Sequence, residues 1–160
     1  MGTLTQTFEQ IQVALDGAHA SIYLDSGVTA QSIANGASYV KSTGFATNGN
    51  SSNMTADVAN DKITATVAGT YQVNISCSFI GDTNNTNWFG AIFVDGVEQG
   101  NIHFQRKIGT ASDTGSANAS GLVNITSVPV DIDFRLRHDN GTAENFTAKY
   151  LNLSAHLAGQ

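Results

Sequence analysis

The sequence has little charge, one cysteine and one proline. Charged residues make up 12% of its 160 residues, about half the ~25% that is usual in soluble domains. Seven basic and thirteen acidic residues give a net charge of −6. This balance disfavours nucleic-acid binding, which needs Lys and Arg clusters to neutralise phosphates. The polarity comes from Asn, Ser, Thr and Gly, and the 41% apolar content indicates a folded chain.

The single cysteine, Cys77, excludes an internal disulfide framework. The N-terminus lacks a basic segment followed by an apolar one, so we expect no secretory signal. No apolar run approaches the about 20 residues of a membrane-spanning helix, so we expect no membrane insertion. The length fits one domain.

No pattern in the sequence indicates a catalytic, cofactor or metal site. The four histidines are scattered without ligand spacing. Asp131 and Asp133 have no further oxygen ligands that would complete a calcium site. The sequence contains no phosphate-binding glycine loop, nucleophile elbow or zinc-protease motif. We therefore interpret the protein as a non-enzyme.

Two segments alternate apolar and polar residues without error, the pattern of a strand with one buried face. They cover residues 70–79 and 130–137. We predict that their apolar residues point into the body of the protein or a subunit interface. These residues are Tyr71, Val73, Ile75, Cys77, Phe79, Val130, Ile132, Phe134 and Leu136.

Other strand candidates follow at spacings typical of an all-β protein. Asp95-Gly96 and Asn140-Gly141 indicate hairpin turns, and residues 81–87 and 109–115 read as polar loops. About eight or nine strands predict a single antiparallel β-sandwich or jelly roll over residues 18–160. The candidates cover residues 20–24, 39–46, 62–67, 88–94, 101–107, 117–126 and 151–157.

Residues 1–17 form a predicted N-terminal arm. Phe8, Ile11, Val13 and Leu15 are apolar, and their spacing fits either a helix or a strand. Since apolar side chains need burial, we expect this arm to contact another protein or another subunit.

Residues 63–73 resemble the signature of C1q/TNF-like jelly-roll domains, through Ile63, Gly69, Tyr71 and Val73. The resemblance implies a ten-strand jelly roll that assembles as a tight homotrimer. It places aromatic residues such as Tyr71 or Tyr150 near the threefold axis. Asp131, Asp133, Arg135 and Arg137 share the polar face of one strand, and we predict that they form ion pairs between subunits.

The composition also resembles that of small virion proteins of tailed bacteriophages. We therefore interpret the chain as a structural protein on the virion surface. Its predicted role is a trimeric decoration, or cement, protein on the outer head, bound to other virion proteins such as the major capsid protein.

Two alternatives remain open. In the first, the chain is a tail-fibre or appendage tip that touches the host through its loops. In the second, it is a C1q-like soluble module that binds a carbohydrate or a protein. Trp88 and Phe89 follow an Asn-rich loop and are candidates for stacking on a sugar ring. The competing interpretation places both rings in the core or the subunit interface.

Overall fold

The computed structural model describes residues 17–34, 36 and 38–159. These residues form twelve strands and one short 3₁₀ helix, η1, at Val58–Asn60. Among them, no helix has the length and apolar character needed to cross a membrane. The strands are β1 His19–Asp25, β2 Ala30–Ile33, β3 Val40–Lys41, β4 Thr47–Ser52, β5 Met54–Asp57, β6 Lys62–Ala65, β7 Gly69–Gly81, β8 Thr86–Val94, β9 Val97–Ile108, β10 Thr114–Ile125, β11 Val130–His138 and β12 Glu144–Gly159.

The strands pair antiparallel in two six-stranded sheets. Sheet A has the order β10-β7-β12-β1-β4, and β2 also pairs with β12. Sheet B has the order β5-β6-β11-β8-β9, and β3 also pairs with β11. The sheets pack face to face around one hydrophobic core. The predicted all-β antiparallel sandwich is therefore confirmed.

The two alternating strands supply the centre of this core, as predicted. Each apolar residue of the alternation in β7 and β11 is at most 7% exposed. A shift of one residue in either strand would turn its polar side chains inward instead. The alternation therefore settles which face of each sheet is buried, and all of these side chains point into the chain's own core.

An aromatic cluster fills one end of the core. The Phe79 and Phe146 rings lie 4.8 Å apart between centroids, and the Trp88 ring lies 5.8 and 5.5 Å from them. The imidazole of His138 completes the cluster, 5.1 Å from Trp88. Phe79 comes from β7, Phe146 from β12, and Trp88 from β8, so the cluster joins sheet A to sheet B.

One predicted strand is much shorter than expected. Residues 39–46 form a strand only at Val40–Lys41. The chain then follows a loop because the Oδ1 atom of Asp61 accepts hydrogen bonds from the backbone N–H groups of Gly44 and Phe45, each at 3.1 Å. The short strands β2, β4 and β5 were not predicted, since their polar residues show no clear alternation.

One of the two predicted hairpins is confirmed and the other is wrong. Asp95 and Gly96 have φ values of 46° and 78°, which suit the tight turn between β8 and β9. Asn140 and Gly141 lie between β11 and β12, which belong to opposite sheets. That connection crosses from sheet B to sheet A, so it cannot be a hairpin.

Candidate functional site

The outer faces of the two sheets differ in charge. The outer face of sheet A carries uncharged polar side chains along the central parts of β7, β10 and β12. The outer face of sheet B carries Asp131, Asp133, Arg135 and Arg137 along β11. The polar residues on sheet A are Gln72, Asn74, Ser76, Ser78, Ser116, Asn118, Ser120, Asn152 and Ser154.

Tyr150 projects from the outer face of sheet A because of a bulge in β12. The register against β7 shifts between Ala148 and Tyr150, so that Lys149 is the extra residue. Without this insertion, the alternation that buries Phe146 and Ala148 would turn Tyr150 inward. Instead the Tyr150 side chain is 54% exposed, and Leu122 on β10 is 53% exposed.

A shallow pocket of about 410 Å³ lies beside Tyr150. Tyr23 and Asp25 of β1, Ser76 and Ser78 of β7, and Asn152 of β12 line it. Along β7, β10 and β12 the face therefore combines uncharged hydrogen-bonding groups with an exposed aromatic ring and an exposed leucine, and the carboxylate of Asp25 lies beside Tyr150 on β1. We call this surface of β7, β10 and β12 the neutral face; Tyr150 lies at the level of Ser78 and Leu122 at the level of Gln72.

The outer face of sheet B holds a row of stacked arginine and aromatic side chains. The guanidinium carbon of Arg137 lies 3.9 Å from the Phe89 ring centroid and 5.2 Å from that of Tyr39. Arg135 lies 4.3 Å from the centroid of Phe93. The Tyr39 and Phe93 rings meet edge to face at 5.4 Å. We call these five residues the arginine–aromatic ladder.

The ladder shifts the ionisation of its tyrosine. Burial raises the pKa of Tyr39, and the charge of Glu98 raises it further, while the hydrogen bond with Arg137 lowers it. Because the net shift is upward, the phenol is neutral at physiological pH. Tyr39 therefore offers the pocket a neutral hydroxyl, flanked by one cationic and one anionic side chain.

The carboxylates of β11 are paired within the chain. Asp133 accepts hydrogen bonds from Nε and Nη2 of Arg135, at 2.7 and 3.0 Å. These bonds raise the pKa of Arg135. Asp131 accepts from Lys62 Nζ and Thr64 Oγ1, each at 2.7 Å. Asp131, Asp133 and Arg135 therefore have ion-pair or hydrogen-bond partners within their own chain, and their pairing with another subunit stays a prediction.

Burial also corrects the predicted roles of two residues, Tyr71 at a subunit interface and Trp88 in ligand stacking. The side chain of Tyr71 is fully buried, and its hydroxyl donates a hydrogen bond to the Val67 carbonyl at 2.7 Å. It cannot lie on a subunit interface. Trp88 is fully buried in the aromatic cluster, so it cannot stack on a ligand. Trp88 and Phe89 lie in β8 rather than a loop, and strand alternation therefore turns Trp88 inward and Phe89 outward.

Phe89 lines a second pocket, of about 500 Å³, on the outer face of sheet B. Strand pairing places Phe89 opposite Gln105 of β9 and Arg137 of β11. Tyr39 and Glu98 also line it, and sequence reasoning missed both. Tyr39 precedes a two-residue strand and Glu98 follows a turn, so only the tertiary arrangement brings them to Phe89.

The predicted interface residues fall on two separate surfaces. Tyr150 belongs to sheet A and Arg137 to sheet B, and packed sheets lie about 10 Å apart, with the outer faces pointing away from each other. The arm residues Phe8, Ile11, Val13 and Leu15 lie outside the described residues. Within the described part of the chain, no group of three or more His, Cys, Asp or Glu could hold a metal ion.

The fold is similar to that of three solved structures. The globular domain of the zebrafish complement 1qA protein matches with a TM-score of 0.64 and 11% identity, covering 90% of this chain and 98% of that one. The chain has a C1q/TNF-like jelly-roll fold. Eiger TNF from S. frugiperda matches with a TM-score of 0.56 and 8% identity, covering 89% and 95%.

The third similar structure is the PRD1 vertex protein P5. It matches this jelly roll with a TM-score of 0.53 and 19% identity, covering 88% of this chain and 96% of that one. No family profile and no curated protein matches the sequence. At these identities the similarity establishes the fold alone.

Proposed function

We propose that this protein is a non-enzymatic structural protein of a bacteriophage virion. It forms a homotrimer on the outer head surface and attaches to the major capsid protein as a decoration protein. The neutral face of sheet A is the observation that carries the proposed assembly. The likeness to a protein named as a vertex protein supports the virion assignment.

The neutral face suits a threefold axis for an electrostatic reason. A threefold axis brings three copies of one side chain together, so charged groups near it would repel one another. Serine, asparagine and tyrosine can meet their own copies and form hydrogen bonds there. Tyr150 and Leu122 add exposed apolar surface, which association would remove from water. A closed ring of three subunits leaves no such face uncovered.

Two side chains of types that often carry catalysis, Cys77 and His138, are engaged in the core, which supports a structural role. Cys77 is buried, and burial raises the pKa of its thiol to about 12. His138 is fully buried. Its Nε2 lies 3.0 Å from the Ile33 carbonyl, and its Nδ1 lies 3.2 Å from the Asn140 backbone N–H. Neither side chain is free to meet a substrate.

The assembly is tested by light scattering on the purified protein. We expect a mass three times the 16.7 kDa of the chain. Tyr150→Asp replaces exposed apolar surface on the neutral face with a charge, so we expect it to yield folded monomers. The matched control is Val97→Asp, at a position 64% exposed in sheet B, and it should leave the trimer intact. A monomeric wild-type protein, or equal dissociation of both variants, contradicts the proposal.

The position on the virion is tested by counting copies in purified particles of the virus that encodes the chain. A copy number comparable with that of the major capsid protein supports a head decoration protein. A copy number that is a small fraction of it supports a tail-fibre or appendage tip instead. Absence of the protein from the particles contradicts both virion roles.

The second candidate function is ligand binding, either at an appendage tip or as a soluble carbohydrate- or protein-binding module. The pocket beside Phe89 and Arg137 is the observation that favours it. Because this pocket lies on the sheet opposite the neutral face, trimer assembly through sheet A leaves it open. The two functions are therefore compatible in one molecule.

A further inference from the structure

We propose that the pocket between β8, β9 and β11 binds a carboxylated sugar, with Arg137 holding the carboxylate and Phe89 packing against the sugar ring. This inference goes beyond the proposed assembly. It rests on the pocket geometry and holds whether or not the chain is a virion protein. The ligand class is a pyranose that carries a carboxylate, such as a uronic acid.

Arg137 is the residue that selects an anionic ligand. It resembles Arg135, two residues earlier on the same face of β11, since both guanidinium groups lie over aromatic rings. Arg135 is neutralised by two hydrogen bonds to Asp133. Among the described residues, no carboxylate forms an ion pair with Arg137. A carboxylate from outside the chain would give Arg137 the partner that Arg135 already has.

The rings around Arg137 prepare it for this role. The guanidinium carbon lies 3.9 Å from the Phe89 centroid and 5.2 Å from the Tyr39 centroid. The hydrogen bond with Tyr39 engages one donor of the guanidinium, and its other N–H groups remain able to form hydrogen bonds with a carboxylate. Because the side chain is already held in place, binding costs less rotamer entropy than at a mobile arginine.

The remaining lining fits a sugar better than a simple anion. Glu98 supplies an acceptor for sugar hydroxyls, and Gln105 supplies both a donor and an acceptor. Phe89 offers apolar surface for the C–H groups of a pyranose ring. The volume of about 500 Å³ lies within the range of small-ligand pockets. Glu98 would repel a carboxylate placed beside it, so the ligand is oriented with its carboxylate at Arg137 and its hydroxyls at Glu98.

The experiment is a titration of the intact chain followed by backbone amide NMR, with methyl β-D-glucuronide as the probe. We expect shifts at Phe89, Gln105 and Arg137 and a Kd of about 1 mM, as few contacts allow. The neutral methyl β-D-glucoside should bind about tenfold more weakly, because it lacks the charge-assisted hydrogen bonds.

Three variants separate specific binding from general electrostatics. Arg137→Gln should weaken glucuronide binding about tenfold. Arg137→Lys keeps the charge but loses the planar pair of donors, so it should restore binding only in part. Lys107→Gln is the matched control, since it removes the same charge from an exposed position of β9 outside the pocket lining, and it should bind like the wild type.

The outcomes that overturn the proposal are distinct from those that overturn the assembly. Equal affinity for the glucuronide and the glucoside refutes carboxylate recognition. Equal losses in Arg137→Gln and Lys107→Gln show non-specific attraction. Acetate that reproduces the shifts at the same affinity refutes the role of the sugar ring, and the absence of binding by any probe refutes the site. Arg137→Gln should keep the wild-type oligomeric state in each case.

Discussion

Three polar side chains at the connection from β11 to β12 are held in place by hydrogen bonds. Glu144, which is 2% exposed, accepts a bond from the Thr83 backbone N–H at 3.0 Å and one from Asn140 Nδ2 at 3.3 Å. The N–H of Asn140 also donates to Nδ1 of His138, so this nitrogen is an unprotonated acceptor. Hydrogen bonds of Glu144, Asn140 and His138 therefore fix the connection from β11 to β12.

The first prediction concerns the reactivity of Cys77. Burial raises the pKa of its thiol to about 12, so at pH 8 only about one molecule in 10,000 carries the reactive thiolate. We expect almost no labelling by a thiol reagent in the native protein and complete labelling in guanidinium chloride. Mass spectrometry after a fixed reaction time measures both. Rapid labelling of the native protein would show that the site opens to solvent.

At the scale of strands, Gly90 in β8 makes room for a neighbouring side chain. A Cβ atom at this position would overlap the Phe104 ring of β9 and would lie 2.8 Å from the Phe134 ring. Those two rings pack with centroids 6.0 Å apart. The absence of a side chain at Gly90 therefore allows Phe104 to cross over β8 and reach the core.

The second prediction tests this packing with Gly90→Ala. We expect a loss of about 1–3 kcal/mol in the free energy of unfolding, typical of overpacked cores, measured by urea denaturation. Gly100→Ala on β9 is the matched control, because a Cβ there meets no atom within 4 Å. If Gly100→Ala destabilises the protein as much as Gly90→Ala, the cause is not the contact with Phe104.

The third prediction concerns the ion pair that joins β6 to β11. Burial raises the pKa of the Asp131 carboxyl, but hydrogen bonds from Lys62 and Thr64 outweigh this and leave it below its ordinary value of 3.8. Because the folded pKa is the lower one, the pair's stabilisation is present above the unfolded pKa. It is lost as the pH falls through the folded pKa.

Asp131→Asn tests this pH dependence. The variant should be less stable than the wild type at pH 7, and the difference should shrink as the pH falls from about 4 towards 2. Both side chains are partly exposed, so we expect a difference of no more than about 1 kcal/mol. Urea denaturation at several pH values measures it. A difference that stays constant over this range would show that charge does not cause it.

At the scale of the whole molecule, Ala18 is the first residue of the core among those that the structure describes. This residue is 1% exposed, and its carbonyl accepts a hydrogen bond from the Leu157 backbone N–H at 2.7 Å. Next, β1 lies between β12 and β4 in sheet A. Removal of β1 would therefore expose two strand edges, whereas the predicted arm, residues 1–17, precedes β1 in the sequence.

The fourth prediction is that deletion of residues 1–17 leaves a folded trimer that no longer attaches to its particle. Circular dichroism and light scattering report folding and assembly, and co-sedimentation with capsids that lack the protein reports attachment. Deletion of residues 1–25 also removes β1, so this control should not fold. A chain that loses its fold without residues 1–17 would show that the arm is part of the domain.

The strand content, the core and the sandwich could be predicted from the sequence because alternation is a local property. Successive side chains of a strand point to opposite faces, so β7 and β11 show their buried sides without reference to any partner. The bulge that turns Tyr150 outward was not predicted, because alternation continued from Phe146 and Ala148 would bury that ring. The short polar strands carry no such signal.

The tertiary structure alone decided which residues lie next to one another on the outer faces of the two sheets. Lys62 and Asp131 pair across 69 positions of sequence, and Arg137 meets Tyr39 and Phe89 from three separate strands or loops. Alternation places Tyr71 and Trp88 on a buried side, but it does not distinguish a core from a subunit interface. That distinction depends on whether the second sheet covers the side chain. The sequence by itself thus determined which side of each long strand points inward. Strand pairing between distant residues, which local patterns do not encode, decided which side chains meet on the two outer faces and in the pocket.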